Sequence, residues 1–330
     1  MAELATSFAT AQSNVEPSDD DWDNAPEAHD AINKVLAADE TLKGWGINPI
    51  LIGSYGRRVS IRRVYDIDMF CRLDDYPEGV SAQDVLDQVY AVLVAEYHKD
   101  AVTLEDRSVT VLVPDADGLY VDVVPARKSG TVWEIPTDDG DWVVTNPVVM
   151  SELKEAKNAN FDEMYVPCVK LLRQARRNLL GTAKPGGFAV EMALYTACDE
   201  AQVNPSASMA ELFTTALEGV ADVFRRMADE GFAIPDPSMP GEEMTFDPDA
   251  DFDTARDKFT TAAADAREAY AMDEDQAGKA ALLLQGILGS NDDFENVFPM
   301  PSGYDDDGNR TTSDRSAGSR SATAGTLRFG

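Results

Sequence analysis

Leu51-Ile52-Gly53-Ser54-Tyr55-Gly56-Arg57, then Tyr65-Asp66-Ile67-Asp68-Met69-Phe70, and later Leu119-Tyr120-Val121-Asp122-Val123-Val124-Pro125 decide how this chain is read. The first stretch closes an apolar run, Asn48 to Gly53, with Gly-Ser. That is a buried strand ended by a tight turn, where backbone N–H groups and the Ser54 hydroxyl can approach phosphate oxygens. In the second, Asp66 and Asp68 are two apart on a strand, so they project from one face about 6.6 Å apart. Asp is depleted in strands and like charges on one face repel, so the pair is costly unless a cation or water compensates. Asp122 has the same setting, between Val121 and Val123, which point the other way. If its strand lies beside the first, at a spacing of about 4.8 Å, three carboxylates meet on one patch. An all-oxygen ligand set suits hard Mg2+, with Mn2+ as its substitute. Two such ions about 3.5–4 Å apart can clamp the attacking and leaving oxygens of a phosphoryl transfer. Any one of these Asp residues alone reads as a solvated strand end in so acidic a chain. The joint pattern of a Gly-Ser turn, Asp-x-Asp entering an apolar strand and a third Asp in a later one reads as a metal site.

The chain has 330 residues and is 44% apolar, enough for two modest lobes. Its 60 acidic and 28 basic residues give a net charge of −32. Long nucleic acids bind mainly through Lys and Arg, so extended nucleic acid is not an expected partner. Most of the acidic residues read as a solvated surface suited to high salt. No unbroken apolar run is long enough to span a membrane, and the first residues are polar and acidic, so no membrane association and a cytoplasmic location are expected. Cys71, Cys168 and Cys198 are too far apart to suggest a disulfide framework or a zinc site. With His29 and His98 as the only histidines, the chemistry falls to carboxylates.

Residues 1–24 show no periodicity and predict a disordered N-terminus. Ala31, Ile32, Val35 and Leu36 predict a helix from Ala25 to about Leu42. Further strands are expected at Asp66–Leu73, Val102–Leu104, Ser108–Val113 and Leu119–Val124, the last two joined at Asp117-Gly118, with a helix at Ala82–Tyr97. Thr131–Ile135 and Trp142–Val144 predict a hairpin around Asp138-Asp139-Gly140. A mixed sheet flanked by helices therefore occupies residues 25–150. Beyond Pro147 apolar residues recur at three-to-four spacing, which predicts a helical domain over 151–301. The Gly-, Ser- and Asp-rich stretch 302–330 has little to bury and predicts a flexible tail.

The ordered pattern resembles the polymerase-β-like nucleotidyltransferase superfamily. Within it the chain looks most like the bacterial cGAS/DncV-like nucleotidyltransferases, the cyclic-oligonucleotide synthases of antiphage systems. Val123-Val124-Pro125-Ala126 and Phe294-Glu295-Asn296-Val297-Phe298-Pro299 match further family segments, so the resemblance spans about Pro49 to Pro299. It implies an α/β (α+β) fold, a mixed sheet with flanking helices plus a C-terminal helical lobe. It implies Mg2+-dependent joining of nucleoside triphosphates, ATP or GTP among them, into a cyclic di- or oligonucleotide with release of pyrophosphate. Asp66, Asp68 and Asp122 become the catalytic and metal-binding residues, and Gly53, Ser54, Lys170, Gly187 and Phe188 the nucleotide-binding positions. Lys170 matches the family lysine that reaches the triphosphate, and also reads as a lysine on an amphipathic helix. Phe188 matches an aromatic that stacks on a base, and reads equally as core. Gly187 departs from the family's usual serine, and Arg58-Val59 from a frequent Gly-Thr. The terminal Gly330 resembles a glycine that ubiquitin-activation-like partners conjugate in some antiphage synthases. Two alternatives stand beside this reading. One is a tRNA- or protein-modifying nucleotidyltransferase, with a basic patch from Arg57, Arg58, Arg62 and Arg63 or from Arg173, Arg176 and Arg177. The other is a non-catalytic nucleotide-binding sensor.

Overall fold

Alternation of apolar residues builds the sheet. In the computed structural model, which describes residues 2–114, 116, 118–137 and 139–311, seven strands form one mixed sheet. They are β1 (Ile47–Ile52), β2 (Asp66–Leu73), β3 (Val102–Leu104), β4 (Val109–Leu112), β5 (Tyr120–Ser129), β6 (Val132–Pro136) and β7 (Trp142–Thr145). Their order is β1-β2-β5-β4-β3, with β6 on β5 and β7 on β6. β2 and β5 run parallel, and the remaining neighbours antiparallel. The turn residues Asp117 and Asp138 lie outside the described residues.

Five helices precede or interrupt this sheet: α1 (Ala2–Val15), α2 (Asp19–Ala38), α3 (Glu40–Gly44), the single turn α4 (Gly53–Gly56) and α5 (Ala82–Tyr97). Ile67, Met69, Val121 and Val123 point to one face and are fully buried with Ile32 and Leu36 of α2 and Val89 and Leu93 of α5. The period of two therefore leaves Asp66, Asp68 and Asp122 on the opposite face. Ser18 and Ser81 open α2 and α5 with reciprocal capping boxes to Asp21 and Asp84, each worth about 1 kcal/mol. The helical lobe follows as α6 (Pro147–Asn160), α7 (Tyr165–Leu180), α8 (Gly187–Asp199), α9 (Met209–Glu230), α10 (Phe252–Ala271) and α11 (Ala277–Leu288). Leu171, Leu172, Phe213, Phe224 and Phe259 centre its separate core.

The expectation of disorder over 1–24 is overturned. Leu4, Phe8, Ala11 and Val15 recur at helical spacing, are at most 4% exposed, and belong to the core of the helical lobe. Phe8 meets Phe213 and Phe298 edge-on at 5.9 and 5.0 Å. The Asn14 amide donates to the Val297 carbonyl, and the Asn291 amide donates to the Asn14 carbonyl. Helix α1 thus belongs to the lobe that the second half of the chain completes. The stripe is hard to read because its four apolar residues stand among Thr, Ser, Gln and Ala, and its partners on α7, α9 and α11 lie about 150 residues or more away. At the other end, the tail expected to be flexible from 302 is folded through residue 311. Tyr304 donates to the Glu274 carbonyl, and a Cβ on Gly308 would come 2.9 Å from the Gly278 backbone. Residues 312–330, with Gly330, lie outside the described residues.

Candidate active site

Register decides the site. The parallel pairing of β2 and β5 sets Asp68 opposite Asp122, and Asp66 opposite Tyr120. The antiparallel pairing of β1 with β2 sets Ile52 opposite Asp68, so the next residue, Gly53, abuts that carboxylate. A Cβ on Gly53 would overlap Asp68 Oδ2 outright, and the backbone there has φ +64°. Both facts require glycine. The single turn that follows carries Ser54, whose Oγ lies 2.9 Å from Ser60 Oγ. On β4, Thr110 is paired with Asp122 and donates its hydroxyl to Asp122 Oδ1 at 2.5 Å. Gly53, Asp66, Asp68 and Asp122 therefore lie together, with Ser54 next along the chain from Gly53.

The electrostatics of this face are unbalanced. Burial first, then the charges of Asp66 and Asp122, push the Asp68 carboxyl up to about 6, while Arg57 and Arg173 pull the other way. Asp66, at the exposed rim, is raised by its crowded surroundings and by Asp122, against Arg173. Among the described residues no three His, Cys, Asp or Glu side chains already close around one point. The carboxylates are neighbours rather than a finished cage. Their chemistry still fits a hard divalent cation, because clustered, partly desolvated oxygens that retain a proton this high lack positive charge.

Two arginines flank the carboxylates. Arg57, at the end of α4, donates through Nε and Nη2 to both oxygens of Glu191 on α8 at 2.9 and 3.0 Å. This buried bidentate pair ties the sheet lobe to the helical lobe. The Arg57 guanidinium also lies 5.2 Å from the centre of the Phe188 ring. Arg173 on α7, read in the sequence only as part of a basic patch, is the cation that sequence reading did not assign to the carboxylates. Its Nε is buried with no hydrogen-bond partner, and its charge acts on Asp66 and Asp68. A Cβ on Gly187 would come 2.8 Å from Arg173 Cζ. A side chain at this position would have to displace the guanidinium.

Lys170, three residues earlier on α7, is not brought to this face. Its Nζ pairs with Glu16 and lies 5.7 Å from the Trp22 ring. It lines a separate cavity of about 660 Å³ in whose walls none of the three Asp residues takes part. The sequence signal for Arg173 was a second cation one helical turn on, which only the packing of α7 could separate from the first. Phe188 is half-buried, packs on Phe246 at 6.4 Å and lines, with Arg57, an inter-lobe cleft of about 310 Å³ in whose walls the three Asp residues likewise take no part. Five of the seven arginines proposed for a basic patch are engaged within the chain. Arg57 holds Glu191, Arg62 and Arg63 hold Asp293, Arg177 holds Asp292, and Arg176 donates to the Pro185 and Gly181 carbonyls.

Residues 2–160 match the family model for the Second Messenger Oligonucleotide or Dinucleotide Synthetase domain. The match includes α1. A cyclic AMP-AMP-AMP synthase of Acinetobacter sp. (strain ATCC 27244 / 9458) is 28% identical over 297 residues, covering 86% of this chain and 83% of that one. Among solved structures, the CdnC:HORMA-deltaN complex of E. coli MS115-1 matches with a TM-score of 0.69 at 18% identity, over 89% of this chain and 100% of that one. The CD-NTase CdnG of Bradyrhizobium diazoefficiens, in complex with GTP, matches with a TM-score of 0.68 at 16% identity, over 87% and 95%. The shared fold is a mixed sheet with a helical lobe, as the sequence pattern implied. No helix among the described residues is long and apolar enough to cross a membrane.

Proposed function

We infer that this chain, a homologue of the cGAS/DncV-like nucleotidyltransferases, joins nucleoside triphosphates into a cyclic oligonucleotide messenger at the face formed by Asp66, Asp68 and Asp122. The observation that carries the reading is the register that sets Asp122 beside Asp68 and presses Gly53 against the same carboxylate. Asp66, Asp68 and Asp122 would hold divalent magnesium. When bound, such ions neutralise phosphate oxygens and lower the pKa of an acceptor hydroxyl. Ser54 and the backbone N–H groups of α4 would bind the donor triphosphate, as a tight turn after a strand can. Arg173, rather than Lys170, supplies fixed positive charge beside the carboxylates, and its uncommitted Nε would serve as a donor to a phosphate oxygen. The acceptor hydroxyl oxygen bonds to the α-phosphorus as the bond to pyrophosphate breaks, releasing pyrophosphate and a proton. Phe188 and Arg57 form one wall of the inter-lobe cleft and suit a flat nucleobase. A cyclic messenger suits an antiphage signalling role.

The test is turnover of labelled ATP, GTP, CTP and UTP with Mg2+ by wild type, Asp66→Ala and Asp68→Ala. Loss of a carboxylate that holds transition-state charge should lower the rate at least about 100-fold, or about 3 kcal/mol. Equal product from all three proteins would end the proposal.

A further inference from the structure

The cavity of about 660 Å³ that contains Lys170 lies between the lobes, walled by Trp22 of α2, Tyr55 of α4, Lys154 of α6 and Lys170 of α7, with Arg58 at its edge. In a chain with 60 acidic and 28 basic residues, three cations meeting in one hollow need a reason. Lys154 and Lys170 have side chains only 4% exposed, yet the carboxylate that each ammonium holds is far more open. Glu155 is 65% exposed and Glu16 is 41% exposed. Burying an ammonium costs several kcal/mol unless it is paired, and here each partner reaches in from the rim. Glu163 lines the hollow as well, so its charges balance in number; what sets it apart is that the two ammoniums are buried while Glu16 and Glu155 lie open to solvent. Arg58 itself is held at φ +59° at the end of α4, a conformation uncommon for a residue with a long side chain. The Trp22 ring lies beside Lys170, and Tyr55 donates its hydroxyl to the Trp22 carbonyl, which fixes an aromatic wall next to the cations.

We propose that this cavity is a second, regulatory nucleotide site, in which phosphate groups displace Glu16 and Glu155 from Lys170 and Lys154 while a base packs against Trp22. The volume is within the range of about 300–1,000 Å³ typical of small-ligand pockets. Buried lysines whose counterions are exposed, rotatable carboxylates are already arranged for exchange with a ligand anion. Tyr55, Gly56 and Arg58 are the cavity side of the same turn whose first residue, Gly53, stands against Asp68. An occupant therefore presses on the turn that faces the carboxylates. The ligand chemistry, a base with two or more phosphate charges, has two sources, the triphosphate substrate and the cyclic product. In naming those sources the inference rests on the proposed nucleotidyl transfer.

Calorimetric titration of the full chain in EDTA with ATP and, separately, with cyclic AMP-AMP-AMP tests it. Tighter binding of one probe identifies the source. Lys170→Met and Lys154→Met should each weaken binding about tenfold, the loss of one charge-assisted contact. Glu16→Gln, which removes a competing carboxylate, should tighten binding about fivefold. Because the variants move affinity in opposite directions, a general loss of folding cannot imitate the result. Failure of both probes to bind the folded wild type, or binding that none of the three variants moves, overturns the proposal. If that happens while Asp66→Ala still abolishes product formation, the enzymatic reading survives. Variant-sensitive cavity binding in a wild type that makes no product would leave the cavity standing and the enzymatic reading fallen.

Discussion

On the sheet face, Asp66, Asp68 and Asp122 crowd like charges with two arginines near them, one of which, Arg57, is already committed to Glu191. In the inter-lobe cavity, Lys154 and Lys170 are more deeply buried, yet each has a carboxylate of its own. The first arrangement leaves charge uncompensated and raises carboxyl pKa values. The second compensates it with side chains that can leave. A folded chain tolerates unbalanced charge where binding later supplies the opposite sign. On the proposed readings the carboxylate face takes cations and the cavity takes anions.

The largest expected effect tests the cation on the carboxylate face. Arg173→Met should lower kcat for triphosphate turnover by about 100-fold, comparable with removing one preorganised donor at a transition state. Arg173→Lys should recover part of that, because charge returns without the planar fork. Both are read from kcat and KM for ATP with Mg2+. Unchanged kinetics in Arg173→Met would place the working cation elsewhere and break the comparison at its first term.

Next in size is the cost of the uncompensated carboxylates themselves. The Asp68 carboxyl is raised from 3.8 to about 6, so between those values the folded chain holds a proton that the unfolded chain has lost. The stability this contributes is fully present below the lower value and is lost as pH rises through the upper one. Without divalent ions, Asp68→Asn should therefore be more stable than wild type by about 2 kcal/mol at pH 8, and the gain should vanish toward pH 4. Urea unfolding at the two pH values measures it. A variant less stable than wild type at pH 8 would show that the carboxylates are balanced after all.

Much of this was legible in the chain itself. Asp66–Leu73, Ala82–Tyr97 and Val102–Leu104 have the bounds their periodicity predicts, because strict alternation and a clean helical stripe leave one register. Asp122 could be joined to Asp66 and Asp68 because flanking valines fix which way it points. What could not be read depends on contacts remote in sequence. α1 is held by residues such as Phe213 and Phe298, and its own stripe is too dilute to announce them. Lys170 and Arg173 are indistinguishable as cations on one helix. Only the packing of α7 gives one to Glu16 and the other to Asp66.

The smallest effect probes the compensated side. Burial holds the Lys170 ammonium below its ordinary 10.5 even with Glu16 beside it, and Arg58 and Lys154 add to the depression. A lysine with a lowered folded pKa weighs against the folded state while it is charged, and that burden lifts as pH rises through the folded value. Glu16→Gln removes the main counter-charge and should cost about 1 kcal/mol at pH 7, modest because the lost carboxylate is 41% exposed and screened by solvent. The deficit should shrink at pH 10 as Lys170 gives up its proton. Combining Glu16→Gln with Lys170→Met should restore stability at pH 7, since an apolar side chain of similar length removes the orphaned charge. A deficit that persists in the double variant would mean that Glu16 stabilises something other than Lys170, and that the cavity's counterions are structural rather than exchangeable.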